Sequence, residues 1–101
     1  MGDIRKLQKE VYKNKVKKGF NITDVNLEFN YTYGELAEAF DAYKKKMPSL
    51  GEELADVVIY LMGLSEMLSI DLEKEVIEKI KKNKVRKYKK VNGTNIKFKN
   101  K

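Results

Sequence analysis

The chain has 101 residues, a net charge of +7, 42% apolar and 37% charged side chains, and no cysteine, histidine or tryptophan. Those absences exclude disulfides, thiolate nucleophiles, His-based triads and Cys/His zinc sites, so any chemistry must rest on carboxylates, lysines, hydroxyls or a bound metal. The length suits one domain, burying roughly 60–70% of the surface its unfolded chain exposes.

The charge is unevenly placed. Eleven of the 22 Lys and Arg residues fall in residues 79–101, which hold no acid, so the first 78 residues carry a net −4. A basic tail on an acidic body attracts anionic partners. The N-terminus is charged and amphipathic, unlike a secretory signal. The longest apolar run, 54–70, contains Asp56 and Glu66 and is too short and too polar for a membrane span. A soluble cytoplasmic protein, with no membrane association, is expected.

A first amphipathic helix is predicted over 3–18, with Ile4, Leu7, Val11 and Val16 inward, Asp3 as its cap and Gly19 ending it in a left-handed conformation. The connector GFNIT places Phe20 and Ile22 either at the mouth of a pocket or as plugs for the bundle end. Thr23 is the expected N-cap of a second helix running to about Lys46. Its inner stripe is Val25, Phe29, Tyr33, Leu36, Phe40 and Tyr43, while Glu28, Thr32, Glu35 and Glu38 line another. Met47-Pro48 breaks that run, and Ser49 with Glu52 fits a capping box.

The third helix, 52–69, is the centre of the pattern. Leu54, Val57, Leu61, Leu64 and Leu68 share one face. Val58, Ile59 and Met62 make its middle apolar nearly all round, which predicts other helices around it. Asp71 caps a fourth helix running to about Lys90, with Leu72, Val76, Ile77, Ile80 and Val85 apolar. Asn92-Gly93 is a turn signal, and residues 94–101 read as a short strand or an ordered tail. Four helices, short connectors and no convincing paired strands predict an all-α four-helix bundle over 1–91 with a basic tail over 92–101.

Two acidic pairs stand out, Glu35/Glu38 and Glu53/Asp56, with Glu52 beside the second. A spacing of three sets both members of a pair on one helical surface. Adjacent helices carrying such pairs supply the oxygen ligands that Mg²⁺, or Mn²⁺ in its place, requires. A metal held there polarises a phosphoryl oxygen and acidifies a bound water without any histidine.

GELAEA at 34–39, EELADVVIYL at 52–61 and IDLEKEVIEKIKKN at 70–83 together resemble the MazG family of all-α nucleoside-triphosphate pyrophosphatases. The resemblance covers roughly residues 24–88 and is most specific over 52–61. It implies Mg²⁺-dependent hydrolysis of an NTP or dNTP to the monophosphate and pyrophosphate. It also implies dimers or tetramers in which neighbouring subunits help close the site.

By the same resemblance Glu53 and Asp56 fall on the second acidic pair and Glu35 on the last acid of the first motif. Tyr60 and Asn83 match nucleotide-holding positions, and Lys79 and Arg86 are placed to meet phosphates. Where the family reads EExGEL this chain reads YTYGEL, so Tyr31 and Thr32 replace two glutamates. Glu38 or Glu28 is then expected to complete the metal set, and Glu38 or Glu52 to accept the proton from the attacking water.

Two further readings remain open from sequence. One is a catalytically weakened nucleotide-binding relative, favoured by Thr32. The other is a basic helical module for nucleic acid, favoured by the lysines after Lys79 with Tyr88 and Phe98 as stacking groups.

Overall fold

The computed structural model describes residues 3–86 and the backbone of 88–91 and 94–97. Four helices, α1 (Asp3–Lys18), α2 (Val25–Lys44), α3 (Leu50–Met67) and α4 (Leu72–Val85), are followed by strands β1 (Tyr88–Val91) and β2 (Thr94–Lys97). α3 lies against both α2 and α1, and α4 folds back chiefly onto α1. The body is all-α, as expected.

The strands form an antiparallel hairpin in which Val91 pairs with Thr94 and Tyr88 with Lys97. The hairpin departs from the expectations that α4 runs on to about Lys90 and that no convincing strands pair. Both expectations are corrected. Arg86 is already extended, with φ −72° and ψ 142°. Aromatic and β-branched residues flanking Asn-Gly favour a hairpin over another helical turn. The turn expected at Asn92-Gly93 lies outside the described residues.

The helix ends depart from expectation in instructive ways. Gly19, at φ +72°, ends α1 as predicted, with the Phe20 amide donating back to the Lys15 carbonyl at 2.9 Å. Asp3, expected as the cap of α1, is itself within the helix. Glu73 Oε1 of α4 accepts from the amides of Ile4 and Arg5 at 2.9 and 3.1 Å, which satisfies two orphan donors and favours the helix dipole.

The cap of α2 is Asp24 rather than Thr23, its carboxylate accepting from Leu27 N at 3.0 Å. Asp71 caps α4 as expected, accepting from Lys74 N at 3.2 Å. Ser49 is the N-cap of α3, but with φ −80° and ψ 3° its hydroxyl makes no capping bond and is buried without a partner among the described residues. The capping box is therefore not formed.

The buried face of α1 is also other than predicted. Leu7 and Val16 are exposed, whereas Gln8 and Lys15 are buried. Gln8, with no exposed surface, donates to Glu66 Oε1 and the Ile70 carbonyl at 2.9 and 2.7 Å and accepts from Leu72 N at 3.2 Å. One amide thus ties α1 to the α3–α4 connector with every partner satisfied.

On α2 the stripe expected to face inward faces out. Phe29, Tyr33, Leu36, Phe40 and Tyr43 are all exposed, and the buried residues are Glu28, Ala39 and Ala42. Both stripes follow the same alternation of four and three, displaced by one residue, or about 100° around the helix. The face turned to α3 carries small and acidic residues because it forms a cleft rather than a dry core.

Candidate active site

The cleft between α2 and α3 gathers the acids. Carboxylate oxygens of Glu35, Glu38 and Glu53 all lie within 4.8 Å of one another. Asp56, one turn beyond Glu53, stands outside that group but close enough to act on Glu35. Burial, above all, and then the neighbouring Glu38, Asp56 and Glu53 push the Glu35 carboxyl above its ordinary value of 4.5, a hydrogen bond with Glu38 adding to the effect. Such a cluster holds more negative charge than it can spread. Of the ion pairs Arg5–Asp71, Lys15–Glu28 and Lys45–Asp41, none involves Glu35, Glu38, Glu53 or Asp56.

Tyr60 follows Asp56 by one turn of α3. Burial and the charges of Glu35, Glu28 and Asp56 raise its phenol above the ordinary value of 10.0, which keeps its O–H as a donor facing the cleft. Glu52, expected as an alternative proton acceptor, is exposed and outside the clustered carboxylates. Glu38 is within them.

Thr32 offers a hydroxyl rather than a carboxylate, and that hydroxyl donates to the Glu28 carbonyl at 2.8 Å, along its own helix. Glu28, the other expected substitute, is committed elsewhere. Its side chain is 1% exposed and accepts from Lys15 Nζ at 2.7 Å and Asn21 Nδ2 at 3.1 Å. The carboxylate that accompanies Glu35 and Glu53 is that of Glu38.

Beside the cluster a cavity of about 590 Å³ opens between α1, the α1–α2 connector, α2 and α3. Phe20, Tyr31, Ile59 and Tyr60 line it, with Lys15 and Glu28. Of the two connector residues placed at a pocket mouth by sequence, Phe20 lines the cavity and Ile22 does not. The Lys15–Glu28 pair had no signal in α1's apolar periodicity. Only the mismatch of a lysine on a helix's buried face, visible once the α1–α3 contact is known, reveals it.

The residues expected from α4 stand on a helix with a different main neighbour. α4 packs chiefly on α1, while the acids lie between α2 and α3. Lys79 and Asn83 are exposed, and Arg86 Nη1 donates to Asn83 Oδ1 at 3.3 Å.

The profile of the MazG nucleotide pyrophosphohydrolase domain matches residues 26–91. The chain belongs to the MazG family. The matched span takes in α2, α3 and α4 with all four clustered or adjacent acids, and leaves α1 outside. No curated protein and no solved structure matches the chain. MazG proteins generally depend on a divalent metal, and an all-oxygen donor set of mutually repelling carboxylates is what a hard divalent cation requires. No helix among the described residues is long and apolar enough to cross a membrane.

Proposed function

We propose that the protein is a Mg²⁺-dependent nucleoside-triphosphate pyrophosphohydrolase acting on surplus or non-standard nucleotides in the cytoplasm. The observation that carries this reading is the convergence of Glu35, Glu38 and Glu53 from two helices, their oxygens within 4.8 Å of one another. Glu35 and Glu53 would hold the ion through their carboxylate oxygens, which leaves the third carboxylate, Glu38, to act as a base. Asp56 completes the set, and Mn²⁺ suits the same oxygens. When bound, the ion supplies electrophilic activation of a phosphoryl oxygen and a water of lowered pKa.

The chain's own groups then have distinct tasks. Glu38, at the solvent side of the cluster, takes the proton of the attacking water. Tyr60 keeps its phenol O–H and donates it to a phosphate oxygen. Lys79, Asn83 and Arg86 lie away from their own chain's cluster and meet the triphosphate of a neighbouring copy.

A homo-oligomer is therefore part of the proposal. The described residues leave an apolar stripe on α2, Phe29, Tyr33, Leu36, Phe40 and Tyr43, exposed in the single chain, the kind of surface that marks an interface. Nucleic acid is not needed to account for any buried or clustered group.

The test is pyrophosphate release from a panel of NTPs and dNTPs with Mg²⁺, comparing the wild type with the Glu53→Gln, Asp56→Asn double variant. The double variant is expected to lose more than the roughly tenfold to hundredfold that removal of a mere supporting group costs at a metal site. Equal rates in the two proteins overturn the reading.

A further inference from the structure

The cavity beside the acidic cluster holds a feature that metal binding does not use. Lys15 and Glu28 form an ion pair at 2.7 Å with side chains 11% and 1% exposed, and both residues line the cavity. A buried ion pair repays its desolvation only when its remaining lone pairs and protons also find partners. An ammonium has three donors and a carboxylate about four acceptor positions. Among the described residues, Lys15 Nζ donates one bond, to Glu28, and the Glu28 carboxylate accepts two, from Lys15 and Asn21. Donors on Lys15 and acceptor positions on Glu28 are left for an occupant.

Asn21 holds this arrangement. Its amide donates to Glu28 Oε1 and the Asp24 carbonyl, and its oxygen accepts from the Thr23 and Asp24 amides. The asparagine is fully used, so it positions Glu28 rather than offering itself to a ligand. Phe20, Tyr31 and Tyr60 supply aromatic walls, on which planar π-systems stack. A volume near 590 Å³ falls within the usual range for small-molecule sites, about 300–1,000 Å³.

The distance from the acids fits the same occupant. Glu28 and Glu35 are two turns apart on one face of α2, roughly 10 Å along the axis, the span of a sugar and part of a base. An occupant with phosphates at Glu35 and Glu53 places its base against Lys15 and Glu28. Resting on the pyrophosphohydrolase reading, we infer that this cavity is the nucleobase site, and that Lys15 and Glu28 select bases carrying a lactam edge, a ring carbonyl beside a ring N–H.

The choice of edge follows from the pair's chemistry. The ammonium seeks an acceptor with two lone pairs and the carboxylate seeks an acidic N–H, and the two groups are adjacent. Uracil, thymine, guanine and hypoxanthine present a carbonyl oxygen next to an imide-type N–H. Adenine and cytosine present an amine, a weaker donor to the carboxylate, next to a ring nitrogen with a single lone pair. Lys15 comes from α1, outside the span that matches the family profile, and Glu28 from within it, so the pair joins the matched domain to the helix that precedes it.

The test measures kcat/KM for dUTP, dTTP, dGTP, dITP, dATP and dCTP with Mg²⁺, in the wild type, Glu28→Gln and Lys15→Met/Glu28→Gln. The four lactam bases are expected to exceed dATP and dCTP by at least about tenfold, since a site built to hydrogen-bond a group rejects analogues that mismatch it. Glu28→Gln is expected to shrink that ratio to about twofold, mainly through KM. The double variant, which removes both charges together, is expected to do the same and guards against a destabilised single variant.

A flat wild-type profile overturns the inference whether or not either variant folds. So does a preference that survives unchanged in a folded Glu28→Gln. If the wild type hydrolyses none of the six, the pyrophosphohydrolase reading fails, and calorimetry with dUMP and dAMP without metal decides the cavity separately. Tighter dUMP binding that is lost in Glu28→Gln then supports the base site, and equal binding of the two overturns it.

Discussion

Glu35 is the residue through which the cleft reports its own charge. Its carboxyl is raised by burial and by Glu38, Asp56 and Glu53, so the folded protein holds this proton to higher pH than the unfolded chain does. The stabilisation is fully present below the ordinary carboxylate value and is lost as pH rises through the raised one. The metal-free protein is therefore expected to melt at progressively lower temperature across that window. Glu35→Gln is expected to flatten this part of the profile and to raise the metal-free melting temperature near pH 7 by a few degrees. Mg²⁺ is expected to stabilise the wild type near pH 7 and to do little for Glu35→Gln. Melting curves of both proteins from about pH 4 to pH 8, with EDTA or Mg²⁺, check all three.

At the scale of the helices, the sequence was most legible where one physical signal decided the outcome. Gly19 ended α1 because its positive φ admits little else, and Asp71 capped α4, while of the expected acids Glu35, Glu53 and Asp56 with Glu38 in support, Glu35, Glu38 and Glu53 converge and Asp56 stands outside. It was least legible where two stripes competed. On α2 the apolar set Phe29, Tyr33, Leu36, Phe40 and Tyr43 and the set Glu28, Thr32, Glu35, Ala39 and Ala42 keep the same period, and hydrophobicity alone chose the wrong one for the cleft. Periodicity identifies faces but not which neighbour each face meets. The Lys15–Glu28 pair was hidden for the same reason, since each residue by itself reads as a solvated charge.

Gly63 shows how finely the α1–α3 contact is set. A Cβ built there would lie 3.1 Å from Lys15 Cδ and 3.5 Å from Val11 Cγ1, whereas one at Gly51, also in α3, meets nothing within 4 Å. Lys15 has little slack, because its ammonium is fixed on Glu28 and lies 6.0 Å from the Tyr60 ring centre. Gly51→Ala is expected to gain up to about 1 kcal/mol from helix propensity. Gly63→Ala is expected to gain less or to lose stability, because the displaced Lys15 offsets that term. Denaturant unfolding of the two variants beside the wild type measures the difference, and an equal gain would show that Lys15 moves freely.

For the whole molecule, the dimensions support the proposed assembly. Its radius of gyration is 16.7 Å, while a compact domain of 100 residues has about 13 Å. Among the described residues the buried apolar side chains are Ala39, Ala42, Met62 and Leu64, while Phe40 and Tyr43 are 58% and 65% exposed. So small a core contributes little against the conformational entropy of the chain, and the outward stripe of α2 is the largest unspent source of burial. Phe40 sits in that stripe four residues from Leu36 and three from Tyr43, with Lys44 Nζ lying 4.7 Å from its ring centre. Phe40→Glu should remove an aromatic anchor and force a charge into the proposed interface, at a cost of about 2 kcal/mol or more per contact, thirtyfold or more in the dissociation constant. Sedimentation is expected to give at least twice the chain mass for the wild type and a shift toward single chains for the variant. Melting should become concentration-dependent as assembly and folding are linked. A wild type that sediments as a single chain at high concentration would refute the assembly and leave α4's Asn83 and Arg86 without a neighbouring site to serve.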